Sequence, residues 1–198
     1  MKGLKFPIDF TFKITTLSND FIAKDTDENV VVYVKQKKFK FKESVEVFQD
    51  TSKQTLSYKI KADKWIDFSA AYSISNATGN FVGKVARKGM ASIWKAEYDI
   101  IDQFEQSQFK IKEENAWVKV MDFLLGQVPI IGLFTGYLFN PVYLVTNNSG
   151  KIVVKLKKES SLVDHRFKVS KEGNIDDDDV ERIILSLMMM VLLERGRG

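Results

Sequence analysis

The run at 183–193, IILSLMMMVLL, constrains the fold more than any other stretch of this 198-residue chain. A helix that crosses a bilayer needs roughly 17–25 apolar residues. These eleven are bracketed by Glu181 and Arg182 on one side and Glu194 and Arg195 on the other. An amphipathic surface helix would carry a polar stripe, yet Ser186 is the one polar residue in the run. A helix that is apolar all round and too short to span a bilayer has to be enclosed by its own protein. The pattern therefore assigns Ile183, Ile184, Leu187, Met188, Met190, Val191 and Leu192 to a core helix. Acids at 176–179 precede it, where carboxylates interact well with the helix dipole, and Glu194, Arg195 and Arg197 mark its exit to water.

The rest of the chain supplies strands to enclose it. Two-residue alternation dominates from about residue 10 to 112, and SNATGN at 75–80 separates FSAAYSI from FVGKVAR with the Asn and Gly that tight hairpins need. In SIWKAEYDI (92–100), Ser92, Trp94, Ala96, Tyr98 and Ile100 share one face, and Ile93, Lys95, Glu97 and Asp99 share the other. Phe109 and Ile111 point in and Lys110 and Lys112 point out by the same rule. After the TNNSG turn (146–150), Ile152, Val154 and Leu156 are expected inside and Lys155 and Lys157 outside. Further strands are expected at 10–16, 20–24, 30–35, 38–42, 45–49, 56–61 and 164–170. Short strands at this spacing mean a barrel or a sandwich. A closed barrel answers the question of the last helix, because inward side chains can pack all its faces and closure leaves no exposed edge.

One stretch interrupts the alternation. Trp117, Val120 or Met121, and Leu124 recur at helical spacing, so a helix is expected from about 115 to 125. Residues 123–139 then run seventeen positions without charge, at the lower limit of a membrane span. Gly126, Gln127, Pro129, Gly132 and Gly136 argue against one regular helix, and two readings stand open: a buried helix-turn segment, or an element that inserts into a membrane.

Composition narrows the chemistry. A hydrophobic content of 44% supports a large core, and the net charge of +4 becomes +8 once the acids at 176–179 are set aside. The absence of cysteine excludes disulfides, thiolate metal sites and cysteine nucleophiles. Pro7, Asp9 and Lys13 interrupt any apolar core of a secretory signal, so the cytoplasm is expected. His165 is the sole histidine, and its neighbour Asp164 would point to the opposite face of a strand. Neither a G-x-S-x-G elbow nor a phosphate-binding glycine loop occurs. No catalytic residue, cofactor or metal is therefore assigned. The acids at 176–179 are contiguous, without the alternate-ligand spacing of a calcium loop, and read as a helix cap.

Lysines carry the remaining signal. Lys38, Lys40 and Lys42 alternate with Phe39 and Phe41, which puts three ammoniums on one strand face, with Lys35, Lys37, Lys59, Lys61, Arg87 and Lys88 as candidate neighbours. Near an anionic surface each contributes about 1 kcal/mol. The alternative is a solvated face that discourages edge pairing. Nucleic acid is disfavoured, because the aromatics fall on the face opposite the lysines.

The segments YVKQKKFKFKESVEVF (33–48), YKIKADKWIDFSAAYSI (58–74), GKVARKGMASIWKAEYDI (83–100), EENAWVKVMDFLLG (113–126), GYLFNPVYLV (136–145) and the terminal LMMMVLLERGRG resemble bacterial members of the LURP-one-related family. That family belongs with tubby C-terminal domains and phospholipid scramblases. The resemblance implies a mainly β, α+β fold: a tubby-like closed antiparallel barrel of about twelve strands around a buried hydrophobic C-terminal helix. One domain would cover 1–198, with 1–28 as N-terminal strands or arm and 113–140 as a helical hydrophobic insertion longer than in plant members. Tubby domains bind phosphoinositides through basic surface residues, and scramblases are linked to calcium and lipid movement. The expectation is a non-enzymatic, monomeric, cytoplasmic binding module, peripheral to the membrane, that holds anionic phospholipid through Lys38, Lys40, Lys42, Arg87 and Lys88. The alternatives are a scaffold or regulatory protein with a protein partner, and a scramblase-like role in lipid transfer.

Overall fold

A computed structural model describes residues 1, 3–12, 20–38, 43–63, 70–88, 97–114, 141–159 and 166–195. Alternating apolar and polar side chains become strands because one face can be buried while the other meets water. The first six are β1 (Ile8–Phe12), β2 (Phe21–Lys24), β3 (Val30–Lys38), β4 (Glu43–Phe48), β5 (Leu56–Ala62) and β6 (Ala71–Asn76). They continue as β7 (Phe81–Arg87), β8 (Glu97–Ile101), β9 (Ser107–Glu113), β10 (Val142–Asn147), β11 (Ile152–Glu159) and β12 (Arg166–Lys171). A helix, α1 (Asp177–Arg195), follows. Each strand pairs antiparallel with the next in sequence, and β1 also pairs with β12, from Ile8 opposite Val169 to Thr11 opposite Arg166, which closes the barrel. The expected barrel around a C-terminal helix is thus the fold observed.

The lumen is filled from both sides. Ile8, Phe10 and Phe12 of β1, Tyr98 and Ile100 of β8, and Phe109 and Ile111 of β9 point inward and are buried. The seven residues assigned to the core helix are each at most 1% exposed, and Leu185, Met189 and even Ser186 are fully buried as well. Burial on every face leaves no stripe for water, as the terminal run requires.

Both ends of α1 are fastened. At its start the Asp176 carboxylate accepts a hydrogen bond from the Asp179 amide (2.8 Å), so the acidic run begins with an N-cap. One turn on, Arg182 pairs with Asp179, and its Nε donates to the Val82 carbonyl of β7 (3.2 Å). Gly83 makes this approach possible: at φ +152°, a Cβ there would strike the Ile101 carbonyl and come within 3.0 Å of the Arg182 side chain. At its end, the Tyr98 hydroxyl of β8 donates to Glu194 (2.7 Å).

The two ends of the barrel are built differently. Residues 25–29, 49–55, 77–80, 102–106 and 148–151, with 172–176 leading into α1, form one end, called here the short-turn end. Two of its turns are the hairpins read from SNATGN and TNNSG. In each, an Asn carboxamide, of Asn76 or Asn147, accepts backbone hydrogen bonds from two and four residues ahead, and Gly79 or Gly150 supplies a positive φ.

One inward assignment is corrected. Ile152 is 40% exposed, while Val153 and Val154 are buried. The β10–β11 register shifts between Val145 and Thr146, which takes Ile152 out of the alternation. Backbone amides of Glu172 and Gly173 bond to the Val153 carbonyl and cover that residue instead. The strand expected at 38–42 begins as the end of β3, which runs unbroken from Val30 to Lys38. Positions 13–16, 39–42 and 92–96, the helix expected at 115–125, the uncharged run at 123–139 and His165 lie outside the described residues.

Candidate functional site

The basic face that can be described stands on the outer wall of β3, β4 and β5. Alternation turns Val34, Gln36, Val45, Val47 and Ile60 into the barrel, all buried, so Lys35, Lys37, Glu46, Lys59 and Lys61 face outward. The register sets them in two rows. Lys35 lies opposite Glu46, which lies opposite Lys59; Lys37 lies opposite Ser44, which lies opposite Lys61. Lys37 pairs with Glu46 (2.6 Å). No carboxylate pairs with Lys35, Lys59 or Lys61 among the described residues, and Ser73 and Ser75 continue the rows on β6. Four ammoniums thus share a wall with Glu46 and, just past β5, Asp63, which accepts a hydrogen bond from Ser73 (2.7 Å), and an excess of positive charge remains across the strands.

The expected contacts fall in different places. Lys38 is the last residue of β3, opposite Glu43, and Lys40 and Lys42 lie outside the described residues. Arg87 and Lys88 are at the end of β7, with β4, β5 and β6 between them and β3. The Arg87 guanidinium lies 5.9 Å from the centroid of the inward Tyr98 ring, a cation–π distance. Lys88 reaches Glu97 (3.2 Å) and Asp99 (3.5 Å). Partial burial opposes its charge, but these two carboxylates outweigh that and raise its pKa. Glu97 answers in kind: burial would raise it, yet Lys88 and Lys112 hold it below its ordinary value.

Elsewhere the wall is neutralised in part, since Lys110 and Lys157 also have no carboxylate partner among the described residues. Lys112 faces Glu97 (3.6 Å), Lys155 faces Glu114 (3.9 Å) and Lys168 faces Glu159 (3.8 Å). What marks β3–β5 is that three unpaired lysines lie on adjacent strands, and sequence alone could not show it, because the pairing of lysines with acids depends on register between strands.

At the barrel mouth beside the exit of α1, Tyr98 and Tyr143 sit with Glu113 and Glu194. Burial, then the charge of Glu194, pushes both hydroxyls well above the ordinary tyrosine value. Both stay protonated, and Tyr98 ties the helix in place through Glu194, which suits packing and not acid–base chemistry. Among the described residues no three His, Asp or Glu side chains converge to hold a metal ion. No helix among them is long and apolar enough to cross a membrane.

A closed meander of twelve strands around a buried C-terminal helix is the tubby-like architecture. The chain belongs to the LURP-one-related family, which it matches over residues 30–129. The X-ray structure of a protein from Arabidopsis thaliana is similar, with a TM-score of 0.53 over 98% of this chain and 93% of that one. Identity between the two is 14%, so the likeness speaks to fold alone. No curated protein matches the chain.

Proposed function

We propose that this protein is a non-enzymatic binding module that recognises anionic phospholipid headgroups and works in the cytoplasm, as a monomer, at the membrane surface. The family and the tubby-like barrel support a binding role, and the uncancelled lysines of β3–β5 carry the choice of ligand. Lys35, Lys59 and Lys61, with Lys38, Lys40 and Lys42 next in the sequence after Lys37, would meet phosphate groups. Arg87 and Lys88, separated from β3 by three strands and engaged with Tyr98, Glu97 and Asp99, would add to the attraction from a distance. Three unpaired lysines near an anionic surface are worth about 3 kcal/mol, or roughly a hundredfold in partitioning. Such attraction is screened by salt.

The test is co-sedimentation with vesicles, neutral against phosphoinositide-containing, at low and high salt. Two triple variants accompany the wild type: Lys35, Lys59 and Lys61 to Glu, and Lys38, Lys40 and Lys42 to Glu. Binding to anionic vesicles alone, weakened by salt and lost in at least one variant, is expected. Absence of binding under all conditions would overturn the lipid reading in favour of a scaffold for a protein partner.

A further inference from the structure

The short-turn end differs from the walls in both charge and apolarity. Its six connections and the first turn of α1 hold eleven carboxylates against two lysines, Lys53 and Lys151. Lys5, Lys24, Lys84 and Arg182 pair with Asp27, Glu28, Glu105 and Asp179, which leaves seven carboxylates without an ion pair among the described residues. The same end carries all four large apolar side chains that stand exposed among the described residues: Val30, Phe81, Phe104 and Ile152. Single exposed apolar residues scattered over a surface need no explanation. Four at one end of a barrel, within a field of carboxylates, do.

Phe104 is the most exposed, at 73%, and its backbone is tightly held. The Asp102 carboxylate accepts hydrogen bonds from the Phe104 amide (2.8 Å), the Gln106 amide (2.9 Å) and the Gln108 side chain (2.8 Å). Asp102 and Gln106 also close the turn through their backbones (2.9 Å), and Glu105 sits at φ +63°. Lys84 of β7 pairs with Glu105 across to this turn, and Lys84 lies opposite Ile101 in the ladder. Phe81, 37% exposed, begins that same strand and so stands beside Phe104's turn. An aromatic side chain presented on a pre-ordered turn loses little backbone freedom when it is covered, which is the property of an interface anchor.

The surrounding charge selects the occupant. Carboxylates repel phosphates, so neither an anionic membrane nor a nucleic acid suits this end. A segment of polypeptide with lysines or arginines around an apolar face suits it on both counts. We infer that the short-turn end is a docking surface for a basic, amphipathic protein segment, with Phe104 and Phe81 against its apolar face and the carboxylates against its cations. This surface is separate from the lysine wall and does not depend on lipid binding there.

The experiment uses the full chain and an array of 15-residue peptides that combine Lys or Arg with Leu, Phe or Trp at varied spacing, beside all-Lys and Ser/Leu controls. Fluorescence polarisation then measures the peptides that bind. Mixed basic-apolar peptides are expected to bind, more weakly at high salt, and Phe104→Ala is expected to weaken them about tenfold or more while melting like wild type. Three outcomes would overturn the inference: no peptide binds, binding is equal in Phe104→Ala, or the all-Lys control binds as well as the mixed sequences. Self-association in sedimentation that Phe104→Ala abolishes would also overturn it, by making a second copy the occupant.

Discussion

Asp102 shows how much one side chain can set. Burial alone would raise its carboxyl, but hydrogen bonds from the Gln106 amide, the Gln108 side chain and the Phe104 amide, with the positive charge of Arg182, bring it below its ordinary value of 3.8. The folded state therefore gives up this proton more readily than the unfolded chain. Its contribution to stability is present above that ordinary value and is lost as pH falls through the lower folded value. Melting curves of wild type and Asp102→Asn should consequently lie furthest apart near neutral pH and converge as pH drops from about 5 to about 2. A separation that stays constant would assign the whole effect to hydrogen-bond geometry and none to charge. Asp179 leans the other way. Burial and the neighbouring Asp176 raise it despite Arg182, so protonation at Asp179, as at the partly buried Asp9, favours the folded form.

Helix α1 was legible as an element because its sequence has no side for water. That inference needed no tertiary knowledge, and Met189, in the middle of the run, is fully buried. Met189→Asp is expected to abolish folding, since an unpaired carboxylate in the lumen costs several kcal/mol. Met189→Leu, close in volume, should cost less than about 1.5 kcal/mol. Circular dichroism melting distinguishes them, and a wild-type-like melt for the Asp variant would contradict an enclosed helix. The strands were legible wherever alternation ran unbroken, as from Tyr98 to Ile100 and from Phe109 to Ile111. Alternation failed at Ile152, where a shift in register against β10 moved the buried position to Val153. The lysine wall was visible only as a list of lysines. Its excess charge emerges once Glu46 is seen to sit between Lys35 and Lys59, and Glu97 beside Lys88 and Lys112. Nothing in DQFEQ, residues 102–106, distinguished it from any polar turn, because the holding of Phe104 depends on where Asp102 directs its oxygens.

The whole molecule is a shell and a filler made from one chain. Closure by β1 and β12 leaves no unpaired edge among the described strands, so partners of this wall are met through side chains and not by adding a strand. The shell cannot be expected to stand without its filler. A chain that stops after Asp179 keeps all twelve strands and loses the buried faces of α1, and it is expected to be insoluble on expression. A soluble truncate with a cooperative melt would show that the barrel holds itself. The order of parts along the chain has a consequence for synthesis. Ribosomes deliver the strands first, and β1 must wait for β12, more than 150 residues later, before the shell can close. The residues that fill it emerge later still. Until then the nascent chain presents an apolar sheet with two open edges, a state prone to aggregation and suited to chaperone capture, and folding completes only after α1 has left the ribosome.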